Sequence, residues 1–500
     1  MNCKRLAACI LCAAVAMGLT ACEEEGAVSD GAGGVAATTS ASATTPQSSM
    51  DENDKLENTD KEAKDLSTIE YKPSGNAGVV KFLGFYDITT DQKATEQTLI
   101  FRSEVYGGDI EVQRVSFGDA FYNKLATLVA SDESPDLVTK DALLYPGNVG
   151  KNLFEPLDDY IDMNSPLWEG MVDIIESYSY KGQHFYYPHM TTTMYALNYN
   201  KKTFEENNLT DPYELYLKNE WTWDAWRELM TEFCNKSEDN VGFFTTNHTI
   251  TSFIATTGVP LVSATSEGIS NNFQSPEVTR AMSFLEQLCR EGLTYGKEFG
   301  NWIDPGQYPL YSDKLLFTCT EPEWSYISES TATQDKKGWE DDILDTPSDF
   351  SFVPFPRDPD ADAYYTEFDT YGFLIPKGAK NINGAVEYIN LHRVYRTDPE
   401  IQEKVREEHI HPEPVYYTKG DYKGHRRWVI TWGEREYDLW REMCESPKFT
   451  YVSEKVEGFS TKLTDEVGAL LMGVVEQGES WTKTCEEFMP VMDAAISEVS

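Results

Sequence analysis

Glu321 and Glu323 stand two residues apart behind the apolar run Leu315-Leu316-Phe317-Thr318-Cys319, and a carboxyl pair is the first chemistry this chain offers. In an extended segment, residues i and i+2 share a face about 7 Å apart. That lies within the range of about 5 to 9.5 Å over which two carboxyls cleave a glycosidic bond. With 84 acidic residues in 500, however, such pairs arise by chance, so hydrolysis is the lesser reading. Asp358, Asp360, Asp362 and Asp369 take positions 1, 3, 5 and 12 of a calcium-type loop, but Ala363 stands where the turn needs glycine and Asp369 where bidentate glutamate is usual. An acidic surface loop is the better expectation. His409 and His411 precede Pro412 and form no H-E-x-x-H; G-x-S-x-G, G-x-G-x-x-G and the phosphate-loop motif are absent. No catalysis, metal or other cofactor is expected.

The elements that must position any binding groups begin at Val79. Val79-Val80-Lys81-Phe82-Leu83-Gly84-Phe85 is an apolar run of strand length. The pattern then predicts a helix from about Gln92 to Tyr106, a strand over Ile110 to Val115, a helix from Phe117 to Ala130 and a strand over Asp136 to Thr139. Such a β-α-β-α-β order requires right-handed crossovers and a parallel sheet. Ligands of these sheets bind outside the carboxyl ends of the strands, which puts Phe85, Tyr86, Asp87, Thr139 and Asp141 at the mouth.

About 420 residues follow Val79, more than one core usually organises, so two lobes are expected. Before them, Lys4 and Arg5 open an apolar stretch from Leu6 to Leu19, too short for a comfortable membrane span. The run Leu19-Thr20-Ala21-Cys22 resembles the bacterial lipobox, whose cysteine carries lipid in the mature chain. Residues 1–21 then read as a lipoprotein signal peptide and Cys22 as the lipidation site. Residues 22–78 are a polar tether, because Glu, Ala, Thr, Ser, Asp and Lys cannot bury a core. About fifty flexible residues span roughly 40 Å. The net charge is -42, and loss of Lys4 and Arg5 makes it -44. That balance argues against nucleic acid and against electrostatic attraction to anionic lipid. Behind Cys22 only Cys234, Cys289, Cys319, Cys444 and Cys485 remain, an odd number without zinc spacing, and their pairing is left open.

Several stretches, in order, are similar to the family 1 extracellular solute-binding proteins. They are Asn152 to Tyr160; Gly182-Gln183-His184-Phe185-Tyr186-Tyr187-Pro188; Met194-Tyr195-Ala196-Leu197-Asn198-Tyr199-Asn200-Lys201; Phe204 to Leu209; Trp221 to Leu229; Ser275-Pro276-Glu277; Tyr371 to Gly378; and Gly478-Glu479-Ser480-Trp481. The resemblance implies an α/β, periplasmic-binding-protein-like fold of two doubly wound lobes joined by a multi-strand hinge. On the family's plan the first lobe takes 79–193 plus 357–397 and the second 194–356 plus 398–500. The chain would cross near Met194 to Tyr199, Asp349 to Pro356 and Asp398 to Tyr416. The implied function is a lipid-anchored extracytoplasmic receptor that binds a carbohydrate and hands it to the permease of an ABC importer. A peptide or another polar solute is the alternative ligand. Aromatic rings stack on sugar faces and carboxylates bind hydroxyls. Together with the sheet-edge rule, these considerations select Tyr86, Asp87, Asp141, Tyr187, Trp302, Glu323, Trp324, Asp369 and Tyr371 as ligand-binding candidates. Trp221 and Trp223 are assigned to packing at a helix entry.

Overall fold

The computed structural model describes residues 71–89, 95–116, 118–140, 145–193, 195–244, 247–265, 268–295, 314–322, 349–411, 415–416, 426–427 and 432–499. The first strand, β1, is Gly78–Gly84, followed by helix α1 (Thr95–Phe101), β2 (Gly108–Arg114), α2 (Asp119–Ala130) and β3 (Leu137–Thr139). β1 pairs in parallel with β2, Gly78 opposite Gly108 through Gly84 opposite Arg114, and with β3, Phe82 opposite Leu137. The expected order and parallel pairing are therefore present. α1 ends five residues before the expected Tyr106. Gly107, at φ +62°, reverses the chain, and the N–H groups of Tyr106 and Gly107 turn back onto the Ser103 carbonyl. Asp136 locks the edge: one carboxylate oxygen accepts from Lys81 N, the other from Lys380 N and Asn381 N.

β4 (Tyr187–Thr193) belongs to the sheet of β1, whereas β5 (Ala196–Asn200) belongs to another. Next come α3 (Trp223–Cys234), β6 (Val241–Phe244), α4 (Asn247–Ala255), α5 (Pro276–Arg290), β7 (Thr294–Tyr295), β8 (Leu315–Thr320) and β9 (Phe350–Val353). These strands form the five-stranded sheet β7-β6-β8-β5-β9, with β5 antiparallel to both neighbours. Thr222 caps α3 by accepting from Ala225 N at 3.4 Å. Trp221 and Trp223 pack beside that cap, their indole N–H groups donating to Pro354 O and Thr256 Oγ1. Ser275 caps α5 ahead of Pro276, and Val278, Ala281, Met282, Leu285 and Leu288 make its buried stripe.

The long strand β10 (Tyr364–Leu374) returns to the first sheet, followed by α6 (Ile382–Thr397), α7 (Pro399–Ile410) and β11 (Phe449–Val452). The first sheet is thus β11-β10-β3-β1-β2, with β4 also on β10. Each sheet has its own apolar core. One core gathers side chains between Ala77 and Tyr187 and between Phe368 and Val405, with Ala264; the other gathers most of the rest. β10 runs between them, with Tyr364 in the second core and Phe368 in the first. The chain changes core again between Tyr187 and Ala196, and along α7 between Val405 and Ile410. Cys234, Cys289, Cys319, Cys444 and Cys485 are all free thiols. Among the described residues no helix is long and apolar enough to cross a membrane.

Candidate functional site at the junction of the two cores

β3 ends at Thr139, and the next side chain, Lys140, forms an ion pair with Asp369 on β10. This happens because β10 is antiparallel to β3, with Phe373 opposite Thr139, so its earlier residues extend past the carboxyl end of β3. Burial lowers the Lys140 pKa, but Asp369 outweighs it and leaves the group well above the ordinary lysine value. Around the pair stands a fan of tyrosines. Tyr145 and Tyr178 have ring centres 5.5 Å apart, and Tyr178 and Tyr186 are 5.0 Å apart. The Tyr178 and Tyr186 hydroxyls both reach Thr370 Oγ1, at 3.1 and 3.2 Å. Gly372 makes this possible, since a Cβ there would stand 2.8 Å from the Tyr186 ring. Tyr86, at the end of β1, shares a hydrogen bond of 3.1 Å with Thr139 Oγ1.

The second core contributes the turn after β11. Glu454 accepts four backbone N–H groups, from Leu261, Val262, Lys455 and Val456, at 2.7 to 3.0 Å. Burial nevertheless dominates and lifts its carboxyl to about 7. Lys455 sends its ammonium toward the first core. Its Nζ lies 3.5 Å from the Tyr178 ring centre and 5.0 Å from that of Tyr145, and donates to Ser453 Oγ at 2.6 Å. Glu367, on β10, is held by the hydroxyls of Ser252 and Thr251 on α4, and burial raises its carboxyl to about 8. Glu321, Glu457 and Cys319 lie close enough to Tyr195 to raise its pKa together with burial. These groups gather charge, hydroxyls and aromatic faces from both cores at one place, most of them already hydrogen-bonded to one another.

Of the sequence candidates, the structure places Tyr86, Asp87, Asp369 and Tyr371 at or beside this edge. Asp87 folds into its own turn, accepting from Thr89 N and Thr89 Oγ1. Tyr187 is not brought to the group. Side chains alternate across a strand, so Tyr186 faces Thr370 while Tyr187 packs against Trp168 with its hydroxyl toward Ile161 O. Tyr187 instead lines a surface depression of about 450 Å³ bounded by Asp158 to Asn164. Asp141, Trp302, Glu323, Trp324 and Cys22 lie outside the described residues, as does the crossing residue Met194. The acidic run disperses: Asp358 is buried against Arg280, Asp362 accepts from Tyr365 OH and Asp369 takes Lys140. Sequence reasoning missed Lys140, Tyr178, Tyr186, Glu367, Glu454 and Lys455. Lys140 was within reach, since it directly follows Thr139 at the sheet mouth. Among the described residues no three His, Cys, Asp or Glu side chains are grouped to hold a metal ion.

The family profile of bacterial extracellular solute-binding proteins matches residues 101–406. No curated protein matches the sequence. Among solved structures, the sugar-binding protein MalE from Xanthomonas citri is similar with a TM-score of 0.59 at 15% identity, over 84% of this chain and 98% of that one. The GacH receptor of Streptomyces glaucescens, solved unliganded and with acarbose, gives 0.56 at 13% identity over the same shares. CpMnBP1 with mannotriose bound gives 0.52 at 14% identity, over 84% of this chain and all of that one. At these identities the likeness is one of fold, two α/β units of the periplasmic-binding-protein kind.

Proposed function

Since the chain belongs to the bacterial extracellular solute-binding proteins, we propose that it is the lipid-anchored receptor of an ABC importer and holds a mono- or oligosaccharide between two closing lobes. The lobes are assigned to residues 79–193 plus 357–397 and 194–356 plus 398–500; the two cores follow this division except that Tyr364 packs in the second core and Ala77, Ala264, Ile401 and Val405 pack in the first. The observation that carries the ligand's place is the meeting of Lys140, Asp369, Thr370 and Tyr178 with Lys455 at one sheet edge. The mechanism is biased closure. Ligand contacts from both sides favour the closed arrangement, and only a difference in affinity between open and closed forms shifts the population. Acarbose on GacH and mannotriose on CpMnBP1 favour a sugar as the solute.

The test is the melting temperature of the full chain with a panel of mono- and oligosaccharides, with product release followed in parallel. A sugar that raises the melting temperature and is recovered intact is the expected result. Turnover of that sugar would overturn the receptor reading, and no shift across the panel would overturn the sugar. Anchoring is separable: Cys22→Ala should move the protein from the membrane to the soluble fraction with ligand binding unchanged.

A further inference from the structure

Both Lys140 and Lys455 place their ammonium groups within 6 Å of the Tyr178 ring centre, one from each core. The nearby carboxylates do not balance them. Asp369 is committed to Lys140 and to Thr370 N. Glu454 spends both oxygens on four backbone N–H groups, and Glu367 is turned to Ser252 and Thr251. Glu457 acts on Glu367, and burial, Glu321 and Glu457 act on Tyr195. Lys455 is only 4% exposed, and among the described residues no carboxylate pairs with it. Ser453 Oγ satisfies one of its three N–H donors, and the tyrosine faces supply diffuse negative charge. A buried cation without an acid partner loses hydration that nothing replaces. Burial and then Lys140 accordingly pull its pKa well below the ordinary value, against the opposite pull of Glu454 and Asp369.

We infer that the sugar taken by this cleft is acidic, and that an anionic substituent on its ring, a carboxylate or a sulfate ester, seats between Lys140 and Lys455 over Tyr178. The inference rests on the carbohydrate reading above and narrows it. Two ammonium groups then face two anions, Asp369 and the ligand. The strongly acidic surface does not forbid this, because its repulsion is screened over about 8 Å at physiological salt, whereas the Lys pair acts at contact.

The experiment is calorimetric titration of the full chain with glucose, galactose and mannose against glucuronate, galacturonate and mannuronate. The 1,4-linked disaccharides of each and galactose 6-sulfate complete the set. At least one acidic sugar should bind about tenfold or more tightly than its neutral partner. Lys455→Met should bring that ratio close to one, while Lys455→Arg retains most of it. In buffers of different ionisation enthalpy, binding of the acidic sugar should show proton uptake that the Met variant lacks. Should Lys455→Met misfold by circular dichroism, Tyr178→Leu tests the same seat through loss of the ratio. Preference for galactose 6-sulfate over galacturonate would identify sulfate as the source of the charge; the reverse would identify carboxylate. Neutral sugars binding as well as their acidic partners, or a Met variant that keeps the ratio, would overturn the inference and leave the carbohydrate reading standing. Binding of no sugar in either set would remove that reading itself.

Discussion

Glu367 sits where β10 leaves one core for the other, and burial there makes its ionisation unfavourable. Its carboxyl titrates at about 8, because the Ser252 and Thr251 hydroxyls offset only part of the desolvation and Glu454 and Glu457 add to it. An unfolded glutamate titrates near 4.3. Below that pH both states are neutral. As pH rises toward 8 the unfolded chain releases a proton that the fold retains, so stability falls across this window and levels off above it. Glu367→Gln should therefore gain on the parent between pH 5 and pH 8.5 in thermal melts; parallel curves would discard the assignment. His184 is the counterpart. Burial lowers its pKa, but hydrogen bonding to Asp158 and then Glu176 outweighs it, and the value is raised. Its contribution is full below about pH 6.5 and fades as pH rises through the folded value. The deficit of His184→Gln should accordingly be larger at pH 5.5 than at pH 8.5, and an equal deficit at both would mean packing alone. At this scale the sequence offered Tyr86, just past the end of β1, through the sheet-edge rule, and Asp369, which lies within β10, through the family resemblance. Lys455 was invisible because the Tyr178 and Tyr145 rings it faces lie in a distant part of the chain and no local spacing announces them.

Local patterns carried the elements further than the pairings. The alternation and turn signals between Val79 and Thr139 are those of a β-α-β-α-β unit, and Ser275-Pro276 marks the start of α5 where the structure has it. The parallel pairing of β10 with β11, Tyr364 opposite Phe449, has no such signature, since it joins segments that meet only through tertiary packing. The same pairing delivers the turn Ser453 to Gly458 to the first core. That turn touches the segment after β3 backbone to backbone: a Cβ on Gly458 would stand 1.9 Å from Tyr145 O, and one on Gly147 would stand 2.6 Å from Gly458 O. Overpacking of this kind costs about 1–3 kcal/mol. Gly458→Ala should lower the melting temperature and, by pushing Lys455 off Tyr178, weaken sugar binding as well. A variant with native melting temperature and native affinity would show that the two segments separate freely in solution.

For the whole molecule, the contacts between the cores bear on the proposed closure. Lys455 over Tyr178, Thr191 Oγ1 donating to Cys444 O, and Tyr180 OH donating to Val499 O at 2.9 Å tie groups of the first unit to the second. On the proposed mechanism some of these loosen for a solute to enter, and they would set the energy of the closed form before ligand arrives. A ligand at 100 times its Kd stabilises the form it binds by about 2.7 kcal/mol, roughly a hundredfold in population. Ligand-driven closure therefore requires that the closed form, without sugar, be disfavoured by less than this. Exposed positions on the two units, Glu133 after α2 and Lys462 at the start of the helix Thr461–Gln477, report it directly. Spin labels at Glu133→Cys and Lys462→Cys, with Cys234 and Cys289 replaced by serine, should give a broad distance distribution without sugar. It should become narrower and shorter with a sugar that raises the melting temperature. The shift should saturate with the binding isotherm and shrink in Tyr178→Leu, which removes the surface shared by Lys140 and Lys455. An unchanged distribution at saturating sugar would mean that the two cores form one rigid body, and that the ligand is held without closure.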